Sequence, residues 1–109
     1  MELLKGKTAM VTGGTRGIGY AIVKTYLDNG AAVALCGSRQ ETVDKALAKL
    51  KEENADYKVI GLCPDLGNPQ EVEKAVQTVR DTFGKLDIMV NNAGVSARDS
   101  LYGYKPEDF

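Results

Sequence analysis

Short apolar runs alternate with helical periods along this chain. Residues 8–12, Thr-Ala-Met-Val-Thr, form an apolar run that ends in glycine. Ile18, Ala21, Ile22, Thr25 and Tyr26 then recur at i, i+3, i+4, i+7 and i+8, which predicts one face of a helix. Gly30 follows as its stop. Residues 32–36 make the second run, and Val43, Ala46, Leu47 and Leu50 the second helical stripe. Residues 59–63 make the third run, and Val72, Ala75, Val76, Val79 and Phe83 the third stripe. Residues 86–90 are the fourth run. Before the third helix stand Asn68, Pro69 and Glu71: a cap, a first-turn proline and an acid placed to reach back to the cap amide. Residues 94–109 show no clear period and read as a loop leading towards a helix near Pro106.

Strand and helix in strict alternation predict parallel pairing through right-handed crossovers. The runs are apolar throughout, as expected of strands covered on both faces. The fold class is therefore α/β. The chain reads as the first half of a doubly wound parallel sheet with strand order 3-2-1-4, its first two helices on one face and the third on the other.

Composition narrows the picture by exclusion. A length of 109 residues supports one modest domain. The net charge of −1 gives no broad attraction to nucleic acid or anionic lipid. The start of the chain carries an acid and runs at once into the first strand, unlike a signal peptide. No apolar stretch approaches the roughly 20 residues of a membrane span. The two cysteines, Cys36 and Cys63, end predicted strands and form no CxxC. They read as small buried hydrophobes in a reducing compartment, so a cytoplasmic location is expected. The absence of histidine removes most transition-metal sites and every histidine-based triad from this stretch.

The candidate chemistry sits at the first strand-to-helix corner, Val11-Thr-Gly-Gly-Thr-Arg-Gly-Ile-Gly19. A helix start offers unpaired amides and the positive end of a dipole, and glycine lets a phosphate come close. Gly13 takes the tight turn, Gly17 admits a pyrophosphate, and Gly19 lets the helix lie close on the sheet. The spacing is G-x-x-x-G-x-G, and it lacks the G-K-[ST] of a P-loop. The end of the second strand bears on which dinucleotide is used. An acid there holds ribose hydroxyls, whereas a basic residue meets a 2′-phosphate. This chain has Cys36-Gly-Ser-Arg39, with no acid before Glu41, and Arg16 lies on the same corner. Two guanidiniums converging on one pocket suit a phosphate dianion, so NADP is expected in preference to NAD. Ser38 with Glu41 also spells a capping box for the second helix.

Thr12-Gly-Gly-Thr-Arg-Gly-Ile-Gly19 resembles the TGxxxGxG of short-chain dehydrogenases/reductases. Asn91-Asn-Ala-Gly94 after the fourth strand matches that family's NNAG. Asp65-Leu66 matches its acidic position beside the adenine, and Gly84-Lys-Leu-Asp87 also fits. The matches fall in the right order and span nearly the whole chain. The resemblance implies a Rossmann-type sheet and an NAD(P)H-dependent oxidoreductase acting on carbonyls or secondary alcohols. It implies that the loop Gly13 to Ile18, with Thr15, Arg16 and Gly17, holds the pyrophosphate and adenosine ribose, that Gly19 belongs to the same cofactor site, and that Ser38 and Arg39 hold the 2′-phosphate. Asp65 would accept from the adenine amino group, Leu66 would pack on the ring, and Asn92, Ala93 and Gly94 would border the ribose.

The family's catalytic Ser and Tyr-x-x-x-Lys lie beyond its fourth strand, and nothing here supplies them. Tyr102, Tyr104 and Lys105 have the wrong spacing and read as loop residues. Reduction of a ketone needs a proton donor, which the family takes from a Tyr with a Lys beside it. Residues 1–109 are thus expected to be the NADP-binding portion, cut before the catalytic segment. Alone they would leave the fourth strand as an apolar edge, weakly stable and prone to self-association. The full protein is expected to be a homo-oligomer acting on a small carbonyl or alcohol substrate. The alternatives are a non-catalytic nucleotide-binding module or sensor, and a flavin or mononucleotide binder.

Overall fold

The computed structural model describes residues 3–92. Its elements run in the order β1 (Thr8–Thr12), α1 (Gly17–Asp28), β2 (Ala32–Cys36), α2 (Gln40–Glu53), β3 (Val59–Leu62), α3 (Pro69–Phe83) and β4 (Ile88–Asn91). The strands form one parallel sheet in the order β3-β2-β1-β4, the expected doubly wound arrangement. β1 lies at the centre and all five of its residues are buried. It pairs Thr8 with Ala32 through Thr12 with Cys36 on one side, and Ala9 with Ile88 through Thr12 with Asn91 on the other.

Strand alternation divides the apolar side chains between two layers. Ala9, Val11, Val33 and Leu35 point to the face covered by α1 and α2, where Val23, Leu27, Val43, Ala46 and Leu50 complete the core. Met10, Ala34 and Cys36 point to the other face and meet Ala75 and Val79 of α3. α2 lies so close to β3 that a Cβ on Gly61 would sit 2.4 Å from Val43 Cγ1.

The α2 and α3 stripes face the core as predicted. The α1 stripe does not. Ile22 and Tyr26 pack against the core, but Ile18, Ala21 and Thr25 are exposed, and Gly19, Val23 and Leu27 are the innermost positions. Seven of the ten residues from 18 to 27 are apolar, so periodicity alone has more than one solution. Contact with the preceding turn, through a glycine that no hydrophobic count includes, selects the rotation.

The helix ends show a second difference. Asn68 Oδ1 accepts from the Gln70 and Glu71 amides at 3.0 and 3.4 Å, as its cap role requires. Glu71 does not return to the Asn68 amide, which already donates to Asp65 O at 2.9 Å; its carboxylate accepts from the Asp65 amide at 2.9 Å instead. At α2 the cap residue is Arg39, with no side-chain cap bond, so the Ser38–Glu41 box does not form. Gly30 stops α1 as expected, at φ +92°. β4 begins at Ile88, two residues later than the apolar run, because Asp87 is used otherwise: its amide donates to Thr8 O and its Oδ2 accepts from Thr8 N, both at 2.9 Å.

Candidate functional site

The carboxyl ends of the strands open into a cleft of about 890 Å³, inside the roughly 300–1,000 Å³ typical of small-molecule sites. One wall is the β1–α1 turn, with Gly13, Thr15, Arg16, Gly17 and Ile18. Cys36, Gly37 and Ser38 close the end of β2, and the run from Cys63 to Gly67 with Glu71 comes from the β3–α3 side. Asn92 reaches in from beyond β4.

The glycines of the turn do different work. Gly13 and Gly17 have φ of +65° and +62°, a region that side-chain-bearing residues rarely adopt. A Cβ on Gly17 would meet nothing within 4 Å, so space stands open above the loop. Gly19 is the opposite case: its Cβ would lie 1.8 Å from Gly13 O and 2.8 Å from Asn92 Nδ2. Its close approach is therefore to the turn itself, not to the strands. Gly14, rather than Gly19, carries the helix-to-sheet contact. A Cβ there would lie 3.1 Å from both Leu35 Cβ and Val23 Cγ2, and its amide donates to Cys36 O at 3.0 Å.

The start of α1 is chemically unlike that of α3. Asn68 caps α3, whereas Arg16, at the cap position of α1, makes no side-chain cap bond. The first amides of α1 thus meet the cleft without a side-chain acceptor, the arrangement that receives an anion at a helix start. Two of the large exposed apolar side chains among the described residues, Ile18 and Leu66, also line this cleft. Donors, open backbone and apolar surface together fit a ligand with both phosphate and ring faces.

Asn91 and Asn92 tie β4 to the turn. Thr12 Oγ1 donates to Asn91 Oδ1 at 3.1 Å, and Asn92 Nδ2 donates to Gly13 O at 3.3 Å. Asp65 is exposed, and its Oδ1 accepts from the Gly67 amide at 2.9 Å, which fixes the bend that carries Leu66.

Ser38 and Arg16 stand in the cleft wall; Arg39 is not among the described residues that line it. Its guanidinium Nη2 lies 3.4 Å from Glu41 Oε2, on the first turn of α2. Gly37 explains where an acid is excluded. A Cβ there would come within 2.6 Å of Thr15 Cγ2 and 2.9 Å of Val43 Cγ2, so no carboxylate fits without displacing both. The two cysteines are free. Cys36 is buried, and burial, with Cys63 nearby, pushes its thiol up to about 12; Cys63 is only half-buried, contrary to expectation.

Residues 7–109 match the family described as short chain dehydrogenase. The chain belongs to the short-chain dehydrogenase family. It is 54% identical over 107 residues to a 3alpha-hydroxysteroid dehydrogenase of Mediterraneibacter gnavus, covering 98% of this chain and 43% of that protein. It is 38% identical over 107 residues to a tropinone reductase homolog of Datura stramonium, covering 97% and 39%. A 3beta-hydroxysteroid dehydrogenase 2 of Eggerthella lenta is 42% identical over 95 residues, covering 85% and 35%. The chain spans about two fifths of the length of the first two. A crystal structure of a short chain dehydrogenase from Mycobacterium smegmatis superposes with a TM-score of 0.79 at 26% identity, over 84% of this chain and 38% of that one.

Short-chain dehydrogenases are oxidoreductases that use NAD(P), and the cleft gathers most of the residues that the resemblance singled out. Gly13, Thr15, Arg16, Gly17, Ile18, Ser38, Asp65, Leu66 and Asn92 all line it, with Gly19 directly beneath the turn. Ala93, Gly94, Tyr102, Tyr104 and Lys105 lie outside the described residues. Gly37, Cys36, Cys63, Pro64, Gly67 and Glu71 also line the cleft, although none of them has a cofactor role assigned from the sequence. A glycine directly after a strand was the only signal for the first.

Proposed function

We propose that residues 1–109 are the NADP-binding portion of a reductase or dehydrogenase that moves hydride between NADPH and a ketone or secondary alcohol. The observation that carries this reading is the open, positively curved turn at Gly17 facing the cleft beside the side-chain-uncapped start of α1. Gly13, Thr15, Arg16, Gly17 and Ile18 would hold the pyrophosphate, with Gly19 shaping the turn from below. Asp65 and Leu66 would hold the adenine, and Asn92 keeps Gly13 in place through its carbonyl. The nicotinamide, when bound, supplies the hydride; the proton donor belongs to a Ser and Tyr-x-x-x-Lys set expected beyond this stretch.

Preference for NADP rests on chemistry and space. Arg16 and Ser38 offer donors in the cleft, and Gly37 leaves no room for the acid that would hold ribose hydroxyls. The substrate class that the relatives favour is a steroid ring hydroxyl or ketone, because the 54%-identical bacterial relative is a 3alpha-hydroxysteroid dehydrogenase.

The test is a fluorescence titration of the full-length protein with NADPH and NADH. NADPH is expected to bind more tightly. Arg39→Ala should cost NADPH affinity and leave NADH nearly unchanged; equal losses for the two would show that Arg39 does not read the 2′-phosphate.

A further inference from the structure

Arg39 is one of two arginines that the sequence assigns to the 2′-phosphate, yet unlike Arg16 it does not line the cleft. Glu41 Oε2 lies 3.4 Å from Arg39 Nη2, and Glu41 Oε1 lies 3.3 Å from Lys45 Nζ. One carboxylate thus occupies two cations on the first turns of α2. The Arg39 backbone cannot follow its side chain. It is the cap residue of α2, and its carbonyl accepts from Thr42 Oγ1 at 2.9 Å and from the Val43 amide at 3.1 Å. Only side-chain rotation can bring the guanidinium to a phosphate beside Ser38, the neighbouring residue that does line the cleft. That rotation breaks the contact with Glu41.

We infer that Glu41 is a specificity-setting residue: it competes with the cofactor's 2′-phosphate for Arg39 and so limits the preference for NADPH over NADH. This inference rests on the NADP reading above. The competition is weak by construction, because the pair is exposed, with side-chain accessibilities of 69% and 61%. An exposed pair of this kind alters an equilibrium by about two- to five-fold. Arg39 is therefore restrained without being locked, and a phosphate dianion, with twice the charge and a fork of oxygens, wins the exchange.

The experiment compares the full-length protein with Glu41→Gln, Arg39→Ala and the double variant. The probes are 2′,5′-ADP and 5′-AMP, which differ only in the 2′-phosphate, followed by NADPH and NADH, all titrated at low salt and again at about 0.5 M. Glu41→Gln is expected to tighten 2′,5′-ADP and NADPH about two- to five-fold at low salt, with 5′-AMP and NADH unchanged. The gain should shrink at high salt as screening weakens the pair, and it should vanish in the Arg39→Ala background. If Arg39→Ala weakens 2′,5′-ADP selectively while Glu41→Gln changes nothing, tightens every probe alike, or tightens binding without Arg39, the competition is refuted and the NADP reading survives. If the wild-type protein does not prefer 2′,5′-ADP to 5′-AMP and Arg39→Ala costs nothing, both fall together.

Discussion

Replacing Gly19 with alanine pits local helix preference against the geometry of the turn. Gly19 is the third residue of α1, where alanine is favoured over glycine by about 1 kcal/mol. A helix considered alone would therefore be stabilised. The structure predicts the reverse. The added Cβ would lie 1.8 Å from Gly13 O, whereas a carbon and a carbonyl oxygen settle at roughly 3.3 Å, so something must move by about 1.5 Å. Neither neighbour yields cheaply. Gly13 O belongs to backbone and accepts from Asn92 Nδ2, and the adjacent Gly14 amide is held by Cys36 O. α1 cannot lift without disturbing Val23 and Leu27 in the core. Overpacking costs roughly 1–3 kcal/mol, and a clash with backbone belongs at the upper end, about 3 kcal/mol, which leaves a net loss of about 2 kcal/mol after the helix gain. Because the displaced atoms belong to the turn proposed to hold the dinucleotide, cofactor affinity should fall by at least ten-fold. Urea denaturation of the full-length protein measures the first quantity and cofactor titration the second. An alanine variant as stable as wild type, binding NADPH equally well, would refute the account of this corner.

Further outcomes follow from other contacts. Asn68→Ala removes the acceptor for two amides at the start of α3 and should cost about 1 kcal/mol in the same denaturation assay; no change would mean that water replaces the cap without loss. At about pH 8, a thiol pushed up to about 12 carries roughly one thiolate in ten thousand, so iodoacetamide should label Cys63 well before Cys36 in the folded protein, with bound NADPH protecting Cys63; equal labelling of the two would contradict the burial of Cys36. The Thr8 amide, and then Lys85, hold the Asp87 carboxyl below its ordinary 3.8, so its contribution to stability is complete at neutral pH and is lost as pH falls from about 4 through the lowered value. The stability gap between wild type and Asp87→Asn should accordingly be constant near neutrality and narrow in acid; a gap that widened on acidification would reverse the sign.

Strand order, the division of helices between the faces and the place of the glycine turn at the cleft were all legible in the sequence. Each depends on local information: apolar runs too uniform for one-sided strands, stripes at helical spacing, and glycines between a strand and a helix. A family resemblance then attached chemistry to Asp65, Leu66 and Asn92. The rotation of α1 was not legible, because seven of the ten residues from 18 to 27 are apolar and one of the three buried positions is a glycine. Nor were the roles of Gly14 and Gly37, since what a Cβ would strike belongs to Val23, Leu35, Thr15 and Val43, which are distant in the chain or on other elements. The pairing of Arg39 with Glu41, and of Glu71 with Asp65, had the same origin. A charged side chain chooses among partners within reach, and only the folded backbone decides which those are. Sequence by itself determined which segments pair and where the glycine turn falls; the tertiary structure alone decided which side chains face that cleft, because facing is a property of neighbours that the chain brings together only on folding.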